Sequence, residues 1–409
     1  MPQTTIQPAT LAETTTRTKP SRGRLEAVDL LRGLLMIFMA IDHTRDYFSN
    51  ATINPTDPLH SWPALFATRW VTHLCAPGFV ALSGASVYLQ RQRGKSIQDI
   101  TRLLLTRGLW LIFLDVTLIS FGWSFTLLYP FFNIITAIGC CMIGLAALQR
   151  LSTRTIGLFG ATILLLHNLL DPIHAADLGR FSNFWIFFHE RGFMTLHGHP
   201  VALFYFPTFA WFGIICVGYA FGPIVTTPYP QRRRITLSLG AAFLAIFAIL
   251  RIVHGYGDSY RFEHLATPAQ TAMSFFQVQK YPPSLQYALA TFSVLLLLYS
   301  LFDLAAESDW LPRLRSFIET FGRVPFLFYA LHIYLIHAAA LVATFALHMD
   351  WHYWIGWGPS WGDGGPPGWG HALPVVYAIW AAVVLTLYFP CRWFSQLKGR
   401  RRDWWLSYL

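Results

Sequence analysis

Charge is scarce in this chain. Only 12% of its 409 residues are Asp, Glu, Lys or Arg, while 54% are hydrophobic and 16% aromatic. A soluble protein carries about 25% charged residues, so half that density leaves too little polar surface for a water-soluble globule. Cysteine is also sparse. Cys75, Cys140, Cys141, Cys216 and Cys391 form no C-x-x-C pair and fall in or beside apolar runs, which argues against a disulfide framework and for buried thiols. No glycine period, fixed-length repeat or inverted hydropathy symmetry is present. Residues 1–24, rich in Thr, Pro and Arg, contain no apolar stretch ending in a small-residue cleavage site and read as a disordered tail rather than a signal peptide.

What the chain has is long apolar runs. Ten stretches approach the roughly 20 residues that a bilayer-spanning helix needs: 29–48, 68–90, 103–125, 129–148, 155–171, 201–225, 235–254, 282–304, 322–347 and 372–390. The expected fold class is all-α, a polytopic bundle of about 10 transmembrane helices, with residues 25–390 as one membrane domain and 391–409 as a basic tail. The net charge of +10 is distributed unevenly. Segments 1–25, 91–107, 149–154, 226–234, 305–316 and 391–409 hold 21 Lys and Arg, against Arg180, Arg191, Arg261 and Lys280 in the opposite loops. That bias places both termini in the cytoplasm and assigns the basic balance to anionic lipid. With no zinc-knuckle spacing and no basic helix with interleaved aromatics, nucleic acid is not an expected partner. The expected location is the inner (plasma) membrane.

All fifteen His lie in the spans or the external loops, which points to proton chemistry or polar ligand contacts on the external side. His197-Gly-His199, with His189 or His174, has the donors for a metal, but H-x-H spacing alone is weak, and no metal is expected. In the first stretch, Arg32 and His43 lie within roughly 20° of one another around the helix, Asp29 within about 40° of His43, and Gly33 between them. Asp29 is about 21 Å from His43 along the axis at 1.5 Å per residue. One face thus offers a cation near the cytoplasmic surface and an imidazole near the external one. Asp29 and Arg32 also read as an i,i+3 pair at a helix end, yet an ionisable residue in a span is a functional candidate by default. Pro77 can break the second stretch, and Gly84 permits close packing there or a ligand tunnel beside the break. In the ninth, Arg323 and His337 share a face and His332 sits at mid-depth. The external segment Asp350-Trp-His-Tyr-Trp-Ile-Gly-Trp-Gly-Pro-Ser-Trp-Gly-Asp-Gly-Gly-Pro-Pro-Gly-Trp-Gly-His371 reads as an interfacial aromatic belt or as rings that stack on sugar.

The pattern Arg24-x4-Asp29-x2-Arg32-Gly33…Asp42-His43, followed by Ala76-Pro-Gly-Phe-Val-x3-Gly-Ala-Ser86, resembles the start of the heparan-α-glucosaminide N-acetyltransferase catalytic family. Gly322-Arg-Val-Pro-x-Leu-x-Tyr-x-Leu-His332 resembles its penultimate span, and the bacterial members are the most similar. The resemblance implies a multi-pass acyltransferase that moves an acetyl group from cytoplasmic acetyl-CoA to a hydroxyl or amine of a sugar or glycan on the external side. It implies Asp29, Arg32, Gly33, Pro77, Gly84 and Arg323 as donor-binding residues. For the base it leaves His43, His60 in the first external loop, and His332 open; Asp42 or Asp46 is the residue available to orient the imidazole, although adjacent helix residues do not face one another. Arg91, Arg93 and Arg107 are further candidates for the donor phosphates. Direct transfer and an acyl-His intermediate are both compatible, and homo-oligomerisation is left open. The competing readings are a proton-coupled transporter built on intramembrane Asp, His and Arg and a non-catalytic membrane scaffold.

Overall fold

A computed structural model describes residues 22–127, 130–308, 310–356, 365–401, 403 and 406, with side chains from Glu26 onward. Residues 1–21 of the expected tail, the side chain of Arg24 and the middle of the Trp-rich segment lie outside the described residues, and residues 22–24 belong to the first helix. The α-helices among the described residues are α1 (Arg22–Phe48), α2 (Pro63–Thr72), α3 (Cys75–Gln92), α4 (Ile97–Leu114), α5 (Ser120–Ser124), α6 (Ile134–Ala147), α7 (Thr153–Leu166), α8 (Ser182–Phe188), α9 (Thr208–Thr226), α10 (Tyr229–Val253), α11 (Pro268–Phe276), α12 (Leu285–Glu307), α13 (Pro312–Arg323), α14 (Pro325–Ala346) and α15 (Leu373–Arg400). A π-helical turn, Asp115–Ile119, joins α4 to α5. Among the described residues, eight helical segments are long and apolar enough to cross a membrane: Pro63–Gln92, Ile97–Ser124, Thr153–Leu170, Thr208–Thr226, Tyr229–Val253, Leu285–Glu307, Pro325–Ala346 and Leu373–Arg400. The chain is a multi-pass membrane protein.

Two of the ten expected stretches differ in kind. The first, α1, is 27 residues long, but Asp29, Arg32, Asp42, Arg45 and Asp46 make it too charged for that class. It packs against α2, α3, α12, α13, α14 and α15 at the centre of the bundle, where protein rather than lipid surrounds its charges. The fourth is the 14-residue α6. Two boundaries are also corrected. Residues 129–133 and 201–207 were expected to begin helices, yet Phe131–Phe132 (β1) and His199–Phe204 (β3) are strands. With Gly192–Leu196 (β2) they form a small sheet in the order β1-β3-β2. The pair β1–β3 is parallel, Phe131 opposite Leu203, and β2–β3 is an antiparallel hairpin, Gly192 opposite Phe204. A short apolar run has no period with which to separate strand from helix, and Pro207 sets the true start of α9.

Local chemistry sets the other helix ends. Ser96, Asn133, Ser152, Thr267 and Ser284 cap helices by accepting backbone N–H bonds, and Pro occupies the first turn of α2, α10, α11, α13, α14 and α15. The second stretch is interrupted at His73–Leu74, and Pro77 lies in the first turn of its second half, α3. Two crossings bring backbones into contact. A Cβ on Gly33 would lie 2.0 Å from the Ile318 carbonyl oxygen, and one on Gly322 would lie 1.9 Å from that of Asp29. Gly84 and Gly218 make the same kind of contact between α3 and α9, at 2.2 Å each. Only glycine fits at such separations.

Candidate active site

The face of α1 that carries Arg32 and His43 turns toward the continuous run α13–α14. At one end, Arg32 donates to Asp29 Oδ1 (2.8 Å), to the Gly322 carbonyl (3.2 Å) and to Ser86 Oγ (3.2 Å), so one guanidinium joins α1, α3 and α13. Arg107 and Lys398 stand within electrostatic reach of one another, as do Arg32 and Lys398, which concentrates positive charge there. Arg323 is half-exposed and pairs with Glu319 at 2.5 Å. Arg91 reaches the Tyr219 hydroxyl (3.0 Å) and the Gln149 carbonyl (3.3 Å). Gly33 and Gly84 act as the packing contacts above, and Pro77 is buried inside the bundle.

Eleven residues along α1, the His43 ring lies 5.2 Å from the His332 ring of α14 and meets the indole of Trp123 edge-on at 4.7 Å. His332 is fully buried, stacked on Phe328 and against Tyr329, with Nδ1 3.1 Å from the Phe328 carbonyl. Its Nε2 and the Nδ1 of His43 are both buried without a hydrogen-bond partner. Buried polar atoms in folded proteins are nearly always bonded, so two unpartnered ring nitrogens on neighbouring imidazoles make this pair a candidate site. Asp46 Oδ2 is 3.6 Å from His43 Nδ1, outside hydrogen-bond range. Asp42 lies elsewhere, bound by Arg45 at 2.7 Å and by Arg69 of α2. His60, the loop candidate, is exposed, and its Nδ1 is held by Asp57 at 2.7 Å. Burial works against the Asp57 carboxyl ionising, but bonds from His60 and the Leu59 amide outweigh it and hold that group below the usual carboxylate range. The structure therefore brings together His43 and His332, and it holds Asp42 and His60 in separate ion pairs.

Two features were missed in the sequence, and a third was read only as an interfacial belt or a sugar-stacking surface. Asp115 is fully buried at the π-turn, accepting the amides of Asn133 and Thr136 (2.9 Å each). Asn133 Oδ1 in turn accepts the Tyr329 hydroxyl (3.0 Å) next to His332. A carboxylate inside an apolar run was the available signal, and a π-turn often accompanies function. The second is a cationic group in the loops before α9 and α12. Lys280 is buried near Arg69 and Asp42, and burial together with the Arg69 charge pushes its amine down to about 8. Arg191 lies over Tyr205 (5.5 Å) and Tyr281 (5.4 Å), whose buried phenols are each pushed up to about 12. The third is the described part of the Trp-rich segment. Trp369 donates to the Tyr47 carbonyl (2.8 Å), Trp354 packs on the Tyr47 ring (5.4 Å), and His337 is held between the carbonyls of Gly122 and Trp354 (2.8 Å each). These rings pack over the C-terminal end of α1.

The family model described as heparan-alpha-glucosaminide N-acetyltransferase, catalytic, matches residues 24–253, which include α1, α2 and α3 with Arg32, His43, Pro77 and Gly84. A search of curated proteins finds no match. The membership implies a transferase, and the helical membrane architecture agrees with a transmembrane one. The match covers more than half of the chain and places this protein in the heparan-alpha-glucosaminide N-acetyltransferase catalytic family.

Proposed function

We propose that the protein transfers an acetyl group from cytoplasmic acetyl-CoA to a sugar hydroxyl or amine on the external side of the inner membrane. The observation that carries this reading is the facing pair His43 and His332, each with a buried ring nitrogen open to a ligand. The CoA phosphates bind at the Arg32, Arg107 and Lys398 end, where guanidinium groups offer multi-donor recognition of phosphate oxygens. Arg32 and His43 are eleven residues apart, or about 16 Å of helix, a span for the extended pantetheine arm. The acetyl thioester then meets the acceptor at His43.

His43 Nδ1 takes the proton from the acceptor hydroxyl or amine as its lone pair attacks the thioester carbonyl. The C–S bond breaks, the acetyl group stays on the acceptor, and CoA leaves as the thiolate, which regains a proton through the imidazole. His332 shares the pocket and holds the His43 ring or the carbonyl in place. Proton abstraction uses the neutral form of the His43 ring.

The test is single-turnover transfer from labelled acetyl-CoA to an amino sugar, with protein purified into lipid nanodiscs. The reading expects CoA release coupled to acetyl-sugar formation. Substrate counterflow without CoA consumption would replace it with transport.

A further inference from the structure

Well away in sequence from the α1 face, the external end of α7 holds a second histidine cluster. His167 ends α7 and Asp171 follows one turn later, while His189 arrives at the end of α8. Each offers a ligand atom within 4.8 Å of the other two. His167 and His189 are 1% and 3% exposed. Both ring nitrogens of His167 and Nδ1 of His189 are buried without a well-formed hydrogen bond, although the Pro283 backbone lies close to the His167 ring. Asp171 is already oriented: Oδ1 lies 3.0 Å from His189 Nε2, and Oδ2 accepts the Asn168 amide at 2.9 Å. Asn168 in turn accepts the Leu285 backbone N–H at the start of α12 (3.0 Å).

We propose that His167, Asp171 and His189 form a divalent metal site of the zinc class that pins the external 172–200 segment to the end of α7. Two imidazoles and one carboxylate suit Zn2+ and leave a fourth position for water, whereas Mg2+ and Ca2+ call for six or more oxygen ligands. Asn168 supplies the outer-shell bond that fixes a ligating carboxylate. A metal would satisfy one of the His167 nitrogens, which is costly to bury unpaired. His197-Gly-His199, the pair of histidines that stands out in the sequence, is not part of it. His197 and Gly198 have φ of 50° and 81° and form the exposed two-residue turn of the β2–β3 hairpin, as left-handed turn positions require.

The experiment uses full-length protein purified through a tag without histidine, stripped with chelator and titrated with Zn2+, Co2+ or Mg2+. Zinc content by plasma mass spectrometry should reach one equivalent per chain, Co2+ should give visible d–d absorption, and Mg2+ should bind nowhere near as tightly. Zinc should also slow proteolysis within 172–200. His189→Gln and Asp171→Asn should lose the metal, and His197→Gln should keep it. Stripped wild-type protein that takes up no zinc overturns the site, whatever the variants do. Retention in His189→Gln with loss in His197→Gln overturns the assignment of ligands. Acetyl transfer is not the readout, so failure here is separable from failure of the proposed reaction.

Discussion

The ring of His43 on α1 and the ring of His332 on α14 are 5.2 Å apart although 289 residues separate them in the chain. Bringing them together takes the glycine crossing at Gly33 and Gly322, because α13 leads directly into α14. The site and the packing of α1 are therefore one feature.

A consequence concerns that crossing. A methyl on Gly322 would lie 1.9 Å from the Asp29 carbonyl oxygen, so the helices must separate. Gly322→Ala should cost about 1–3 kcal/mol of stability, the usual range for overpacking, and should lower transfer. Gly399→Ala, where nothing lies within 4 Å, is the control and should leave both unchanged or slightly raise stability. Thermal unfolding in detergent measures it. Equal melting temperatures for wild type and Gly322→Ala would mean the backbones are not in contact.

The donor end separates two roles of Arg32. Its bonds to Asp29, Ser86 and Gly322 tie helices together, and the proposed reading adds CoA phosphate. Arg32→Gln should weaken acetyl-CoA binding by roughly 1.5–3 kcal/mol, the worth of a charged hydrogen bond. Asp29→Asn, which keeps the guanidinium, should bind CoA as well as wild type. Calorimetric titration with CoA compares the two. Equal losses would assign Arg32 to helix packing alone.

Lys280 gives the pH prediction. Its amine is lowered from 10.5 to about 8 by burial and by Arg69. Between about pH 8 and 10.5 the unfolded chain binds the proton and the folded one does not, so stability rises with pH across that window. Below it both states are protonated and the full cost of burying the charge applies. The span corresponds to about 3 kcal/mol at 1.36 kcal/mol per unit. Lys280→Met should melt higher than wild type at neutral pH and show a flatter pH dependence. A Lys280→Met protein that melts lower at pH 7 would show the ammonium to be held by the nearby Asp42 rather than penalised.

Orientation is tested by impermeant thiol labelling in intact cells. Arg232 is buried in a pair with Asp303 (2.5 and 2.8 Å) and Trp185 is buried, so probes belong at their exposed neighbours. Phe184→Cys should label from outside, and Arg233→Cys only after permeabilisation. The reverse pattern would invert the direction of transfer.

Much of the architecture was legible because lipid demands long apolar helices, and the eight strong spans stood out on hydropathy. The α1 stripe was legible too, since helical period alone puts Arg32 and His43 on one face. The partner of His43 was not, because a contact between α1 and α14 has no local signature. Asp42 looked like an orienting group for its neighbour, but adjacent helix residues diverge, and Arg69, 27 residues on, claims it. His197 and His199 drew attention by spacing, whereas the buried set of His167, Asp171 and His189 depends on where α8 ends. The strands were hidden because Phe-rich runs of two to six residues have no period to read.

The central claim is that the His43–His332 pair, and not the loop histidine, performs the proton transfer. The most direct measurement is the pH–rate profile of acetyl transfer for His43→Ala, His332→Ala and His60→Ala, alongside acetyl-CoA binding for each. The account predicts that His43→Ala loses about 10²–10⁴-fold in rate, as removal of a general base does, with the acid-side fall in rate abolished and CoA binding retained. It predicts a smaller loss for His332→Ala and near-wild-type transfer for His60→Ala. A dead His60→Ala enzyme beside a His43→Ala enzyme within a few-fold of wild type, its pH profile unchanged, would contradict it.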